Sequence, residues 1–119
     1  MRIVGLKEFM TLENILYTQY DRQDFDQSNF LIKWNNLDWG SIDWIESPIE
    51  PAALEHNDYG DLCDKLDEAK KDSSKVFPMD FEYTGRYAYY PDIEDTIKFA
   101  VYEKEDIVNL IATLQKLIK

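Results

Sequence analysis

The sequence predicts a single α+β domain: a mostly antiparallel sheet of four to five strands with two or three helices. Three observations predict it. Phe30, Ile32 and Trp34 alternate with Leu31 and Lys33, the period of two of a half-buried strand. Apolar side chains within residues 59–69 and 107–118 recur instead at three- and four-residue spacing, which lines one face of a helix. Most strand candidates are near neighbours in sequence, which favours antiparallel pairing. With 119 residues and 14.1 kDa, the chain matches one domain spanning 1–119.

The elements follow in order. Residues 6–10 form a short helix, and residues 15–20 a strand. The alternating run at Phe30 is the next strand. Residues 41–46 are another, with Ile42 and Trp44 on one face, until Pro48 and Pro51 break regular structure. A helix covers about residues 58–72, where Tyr59, Leu62, Cys63, Leu66 and Ala69 share a face. Asn57 or Asp58 caps its start, because a short side-chain oxygen accepts from the free amides there. Ser73, Ser74 and Pro78 end it. Residues 81–90 and 97–102 read as two antiparallel strands, with Gly85 a bulge or bend in the first. The last helix carries the stripe Ile107, Leu110, Ile111, Leu114, Leu117 and Ile118. Glu105 and Asp106 lie at its positive end, and Lys116 and Lys119 at its negative end. It is expected to pack on the sheet.

Charge is the most informative bulk property: 13 basic against 24 acidic side chains give −11. Residues 1–20 net zero, 21–60 net −7, 61–95 net −5 and 96–119 net +1. Such a surface repels polyanions, so direct binding to nucleic acid or an anionic membrane is not expected. A basic protein is the natural partner, such as a host nuclease or a nucleic-acid complex. No apolar run approaches a membrane span, no signal peptide is recognisable, and the single Cys63 makes no intramolecular disulfide. These features point to the cytoplasm.

Residues that carry chemistry are sparse. One cysteine and one histidine, Cys63 and His56, cannot build a zinc site. Asp21, Asp24, Asp26 and Asn29 form a carboxylate-rich loop, but without the spacing or central glycine of a helix-loop-helix calcium site. Cys63 falls on an apolar helix face in an acidic neighbourhood, the setting of a small hydrophobe rather than a thiolate nucleophile. His56 stands alone near a helix start, and the glycines are too isolated for a phosphate loop. No catalytic residue, metal or cofactor is expected.

Candidate partner contacts follow from the charge. Asp61, Asp64 and Glu68 recur at i, i+3 and i+7 on the second helix, about 5–6 Å apart between neighbours. Lys65, Lys70 and Lys71 interleave with them. In residues 21–60 only Arg22 and Lys33 offset nine acids, and Trp34, Trp39 and Trp44 recur every five residues. That period fits neither one strand face nor one helix face, so Trp39, in a turn with Asp38 and Gly40, is expected near the surface. Asp38, Trp39, Asp43 and Glu46 then join Asp61, Asp64 and Glu68 as partner-binding candidates. Carboxylates with embedded aromatics grip arginine-rich surfaces through ion pairs and cation–π contacts.

The stretch Phe99, Ala100, Val101, Tyr102, Glu103, Lys104, Glu105, Asp106, Ile107 resembles a strand-to-helix junction of small bacteriophage and prophage accessory proteins. Glu8, Phe9 and Met10, followed by a strand through Tyr17 and Tyr20, fit the same group. The resemblance covers about a third of the chain and brings no catalytic residues with it. It implies a phage accessory role and brings no activity of its own; joined to the acidic surface, the expectation is an anti-defence inhibitor, anti-CRISPR-like, that occludes a basic nucleic-acid-binding surface. An immunity protein neutralising a basic nuclease toxin uses the same physics. A virion assembly component is the third expectation.

Overall fold

The computed structural model describes residues 1–20, 30–37, 42–89 and 97–118. Within them lie six strands and three helices. The strands are β1 (Arg2–Val4), β2 (Ile15–Tyr20), β3 (Leu31–Leu37), β4 (Ile42–Pro48), β5 (Gly85–Tyr89) and β6 (Lys98–Val101). The helices are α1 (Leu6–Phe9), α2 (Tyr59–Lys71) and α3 (Lys104–Gln115), with a short 3-10 turn at Pro51–Ala53. One antiparallel sheet holds all the strands in the order β1-β6-β2-β3-β4-β5. The α+β class is as the sequence predicts. The added strand is β1, whose three residues are too few to show a period; it joins the sheet by pairing Arg2 with Val101 and Val4 with Phe99.

Register decides which side chains meet. Val4, Tyr17, Trp44, Phe99 and Val101 lie on one face of the sheet, and Phe9 of α1 is pressed onto them. Phe9 is fully buried. Its ring stacks on Phe99 at 3.9 Å between centroids and meets Tyr17 and Trp44 edge-on at 4.8 and 5.1 Å. Stacked and edge-to-face rings add to plain area burial, so a four-residue helix closes the main core with one aromatic.

The strand at Phe30 forms, but its inward face is the reverse of what apolar alternation implies. Lys33, not Ile32 or Trp34, points into the core and is fully buried. Its Nζ donates to the carbonyls of Phe9, at 3.3 Å, and Leu12, and sits 5.0 Å from the Phe9 ring centroid. The two carbonyls meet part of the ammonium's hydrogen-bonding need inside the core, which offsets part of the cost of its burial. Burial lowers its pKa from 10.5 to about 8, opposed by the charge of Glu13. Between those values the unfolded chain binds more protons than the folded one, so stability rises with pH across that window. From about pH 7.5 to 9.5 the rise is expected to be about 2 kcal/mol. Urea unfolding at the two pH values checks it, and Lys33→Met should abolish this part of the rise.

The opposite face of β4 carries Asp43 and Ser47, both fully buried. Trp34 Nε1 donates to Ser47 Oγ at 2.7 Å, and Arg86 of β5 donates through Nε to Asp43 Oδ2 at 2.7 Å and again through Nη2. Asp43 is fully buried while Arg86 stays 45% exposed, and removing Arg86 leaves the buried carboxylate with its desolvation penalty. Arg86→Met is therefore expected to lower stability by about 2–4 kcal/mol, measured as a drop in urea midpoint at constant slope.

Two further expectations are corrected. Gly85 is no bulge: it opens β5 in register with Glu46, and the register shift lies in β3 between Lys33 and Asn36. The last helix forms, but it does not pack along the sheet. No residue of α3 is buried, since α1 already closes the core face. A groove of about 330 Å³ separates its first turn from the strand ends, lined among others by Leu12, Ile15, Val101, Ile107 and Val108. Among the described residues no helix is long and apolar enough to cross a membrane.

Candidate functional site

Residues 49–83 hold ten acidic and four basic side chains. They form two pieces. The first is α2, whose start is fixed by Asp58 accepting from the Asp61 N–H at 2.8 Å. Asp61 reaches back to accept from the Asn57 N–H at 2.9 Å. That contact, followed by Lys65 at 3.3 Å, holds the Asp61 carboxyl below the usual carboxylate range. Further along, Asp64, Asp67 and Glu68 are exposed, and none joins an ion pair found among the described residues. Spacings of three and four residues set them side by side. Lys71 follows at the end of the same row.

The second piece is a clip of two extended segments. Leu54 bridges Met79 antiparallel, Glu55 N–H donates to Pro78 O at 2.8 Å, and Asp80 N–H to Ala53 O at 2.7 Å. The clip holds open an apolar groove of about 460 Å³ lined by Ile49, Pro51, Leu54, Phe77, Met79 and Phe81, with Glu50 at its rim. Ile49, Met79 and Phe81 remain exposed, 37 to 48%, and Glu55, Asp80 and Glu82 are exposed beside them in sequence. Lys65 ties α2 to the clip by donating to Glu55 O at 2.9 Å, and His56 lies against Tyr83 at 4.7 Å between rings. His56 Nδ1 is within 2.6 Å of Leu54 O, so the imidazole belongs to the clip's own scaffold.

The structure does not gather the sequence-derived candidates into one surface. Asp61, Asp64 and Glu68 share α2. Asp43 and Glu46 project from opposite faces of β4, Asp43 fully buried and Glu46 half-buried. Asp43 is held by Arg86. Glu46 accepts from Tyr17 Oη at 2.5 Å and Trp44 Nε1 at 3.3 Å, and burial raises its pKa above the ordinary carboxylate value. Both are held by the fold because alternation puts them on opposite faces and β4 is covered on both, with Asp43 and Ser47 buried on one and Trp44 on the other. Asp38 and Trp39, and the carboxylate loop at Asp21, Asp24, Asp26 and Asn29, lie outside the described residues. The groove was not legible as a site. Its signal was a cluster of apolar residues, Val76, Phe77, Met79 and Phe81, with no helical or strand period.

No family model, no curated protein and no solved structure matches this chain.

Proposed function

We propose that this chain is a non-enzymatic acidic binding protein that covers a basic, nucleic-acid-binding surface of another protein. The carrying observation is the pairing of an open apolar groove with the acidic row Asp64, Asp67 and Glu68. Acids alone give long-range attraction and poor specificity. An apolar groove in the clip, which Lys65 ties to the same helix, supplies a desolvated anchor, the usual location of binding energy. Together they fit a segment with one aliphatic or aromatic side chain flanked by lysine or arginine. A surface of that chemistry normally holds phosphates, so covering it blocks nucleic acid. In a phage setting this is anti-defence inhibition.

The test is capture of host proteins on the intact chain at low and high salt, beside the variant Asp64→Lys/Asp67→Lys/Glu68→Lys. The expected result is a basic nucleic-acid-binding protein retained at low salt, lost at high salt, and not retained by the variant. Retention that is indifferent to salt and to the three reversals contradicts the proposal.

A further inference from the structure

We infer that the clip takes up an extended segment of the partner as an added β-strand, antiparallel to residues 77–79, with apolar and basic side chains in alternation. The inference rests on the reading above, that the clip and α2 bind a basic protein. The clip has two outer edges, one closed by the chain itself and one open. At its bridge Leu54 stands opposite Met79, and the hydrogen bonds between the segments run from Glu55 to Pro78 and from Asp80 to Ala53. That pattern turns the N–H and C=O of Leu54 and of Met79 outward, toward the two edges. On the Leu54 side both groups are used: the N–H donates to Pro51 O at 3.1 Å, and the C=O accepts from His56 Nδ1 at 2.6 Å. On the Met79 side neither group has a hydrogen-bond partner among the described residues, and the same holds for Phe77 two residues earlier. An edge of free backbone groups is a template for a further strand, and strand addition is a recurring way to hold an extended peptide.

Side chains select what is added. Leu54, Phe77 and Met79 all line the apolar groove. Glu55 and Asp80, the next residues along the two segments, take the opposite face by alternation, and both are exposed. Asp80 is fixed there by accepting from the Glu82 N–H at 3.0 Å. A residue set opposite Met79 exchanges backbone bonds with it and shares its face, so an apolar side chain at that point enters the groove. Its two neighbours turn to the face of Glu55 and Asp80, where lysine or arginine gives favourable cross-strand pairs. A second copy of this chain, at −11, is repelled from the same edge. The occupant is therefore a different, basic protein.

The test titrates the full chain with a capped peptide that alternates lysine and valine, while NMR follows hydrogen exchange at the Met79 amide. Exchange there should slow when the peptide binds. In the antiparallel register the valine nitrogens face residues 77–79 and the lysine nitrogens face away. Methylating the valine nitrogens should therefore weaken binding about 10-fold or more, by deleting backbone hydrogen bonds. Methylating the same number of lysine nitrogens should cost less than about 3-fold. Equal losses from the two methylated peptides, no slowing at Met79 in the saturated complex, or no binding up to about 1 mM peptide overturns the inference. Binding that follows salt and the row Asp64, Asp67 and Glu68 while Met79 exchanges freely removes strand docking and leaves the proposed function standing. A slowed Met79 amide with an affinity indifferent to Asp64→Lys/Asp67→Lys/Glu68→Lys supports strand docking and counts against the acidic row.

Discussion

Phe9→Ala is expected to lower the unfolding free energy by about 3–5 kcal/mol, the largest effect of any single substitution considered. A domain of this size has about 5–15 kcal/mol in total, so the variant gives up a large share of it and should melt well below the wild type. The reason is geometric. Phe9 touches Phe99, Tyr17 and Trp44 at once, and α1 is four residues long. No neighbouring turn of helix can slide in to fill the space. The loss also loosens the Phe9 and Leu12 carbonyls on which Lys33 depends, so two costs fall together. Urea unfolding monitored by tryptophan fluorescence reads the change. A loss below about 1 kcal/mol would mean that α1 does not close this core, since that is the scale of a surface change.

The second large effect lies on the surface. Asp64→Lys/Asp67→Lys/Glu68→Lys changes the formal charge from −11 to −5, because each reversal adds two. It touches no buried residue, so stability should move by less than about 1 kcal/mol. Affinity for a basic partner should fall at least 100-fold, about 2.7 kcal/mol, mostly through slower association. Phe81→Ser separates the other half of the site. It removes an apolar anchor without changing charge, so dissociation quickens while the salt dependence stays. The two variants thus divide electrostatic steering from the anchor.

Sequence patterning made the sheet and the helices legible, because period two and period 3.6 depend only on local spacing. It placed Ile42 and Trp44 on one face, as the structure has them, and offered Asn57 or Asp58 as the cap of α2, of which the structure uses Asp58. It could not show which layer a face would meet. Lys33 reads as outward because lysine is rarely buried. The competing fact is long-range: the carbonyls of Leu12 and Phe9, just past and at the end of α1, lie 21 and 24 residues away in sequence. Asp43 and Glu46 read as surface acid for the same reason, and their partners Arg86 and Tyr17 lie 43 and 29 residues away. Exposure of α3 was hidden too. An amphipathic stripe says that a helix is covered by something, not what covers it. The groove at Met79 and Phe81 is assembled by a single antiparallel bridge, a contact with no local signature.

The central claim is that the acidic row on α2 supplies the attraction to a basic partner. The dependence of Kd on salt, measured by titration calorimetry for the wild type and for Asp64→Lys/Asp67→Lys/Glu68→Lys against the captured partner, tests it most directly. Screening acts on exposed charges over about 8–10 Å, so removing the row should both weaken binding and flatten its salt dependence. A wild-type slope that persists unchanged in the variant, with Kd unchanged, would contradict the account and place the attraction elsewhere on the chain.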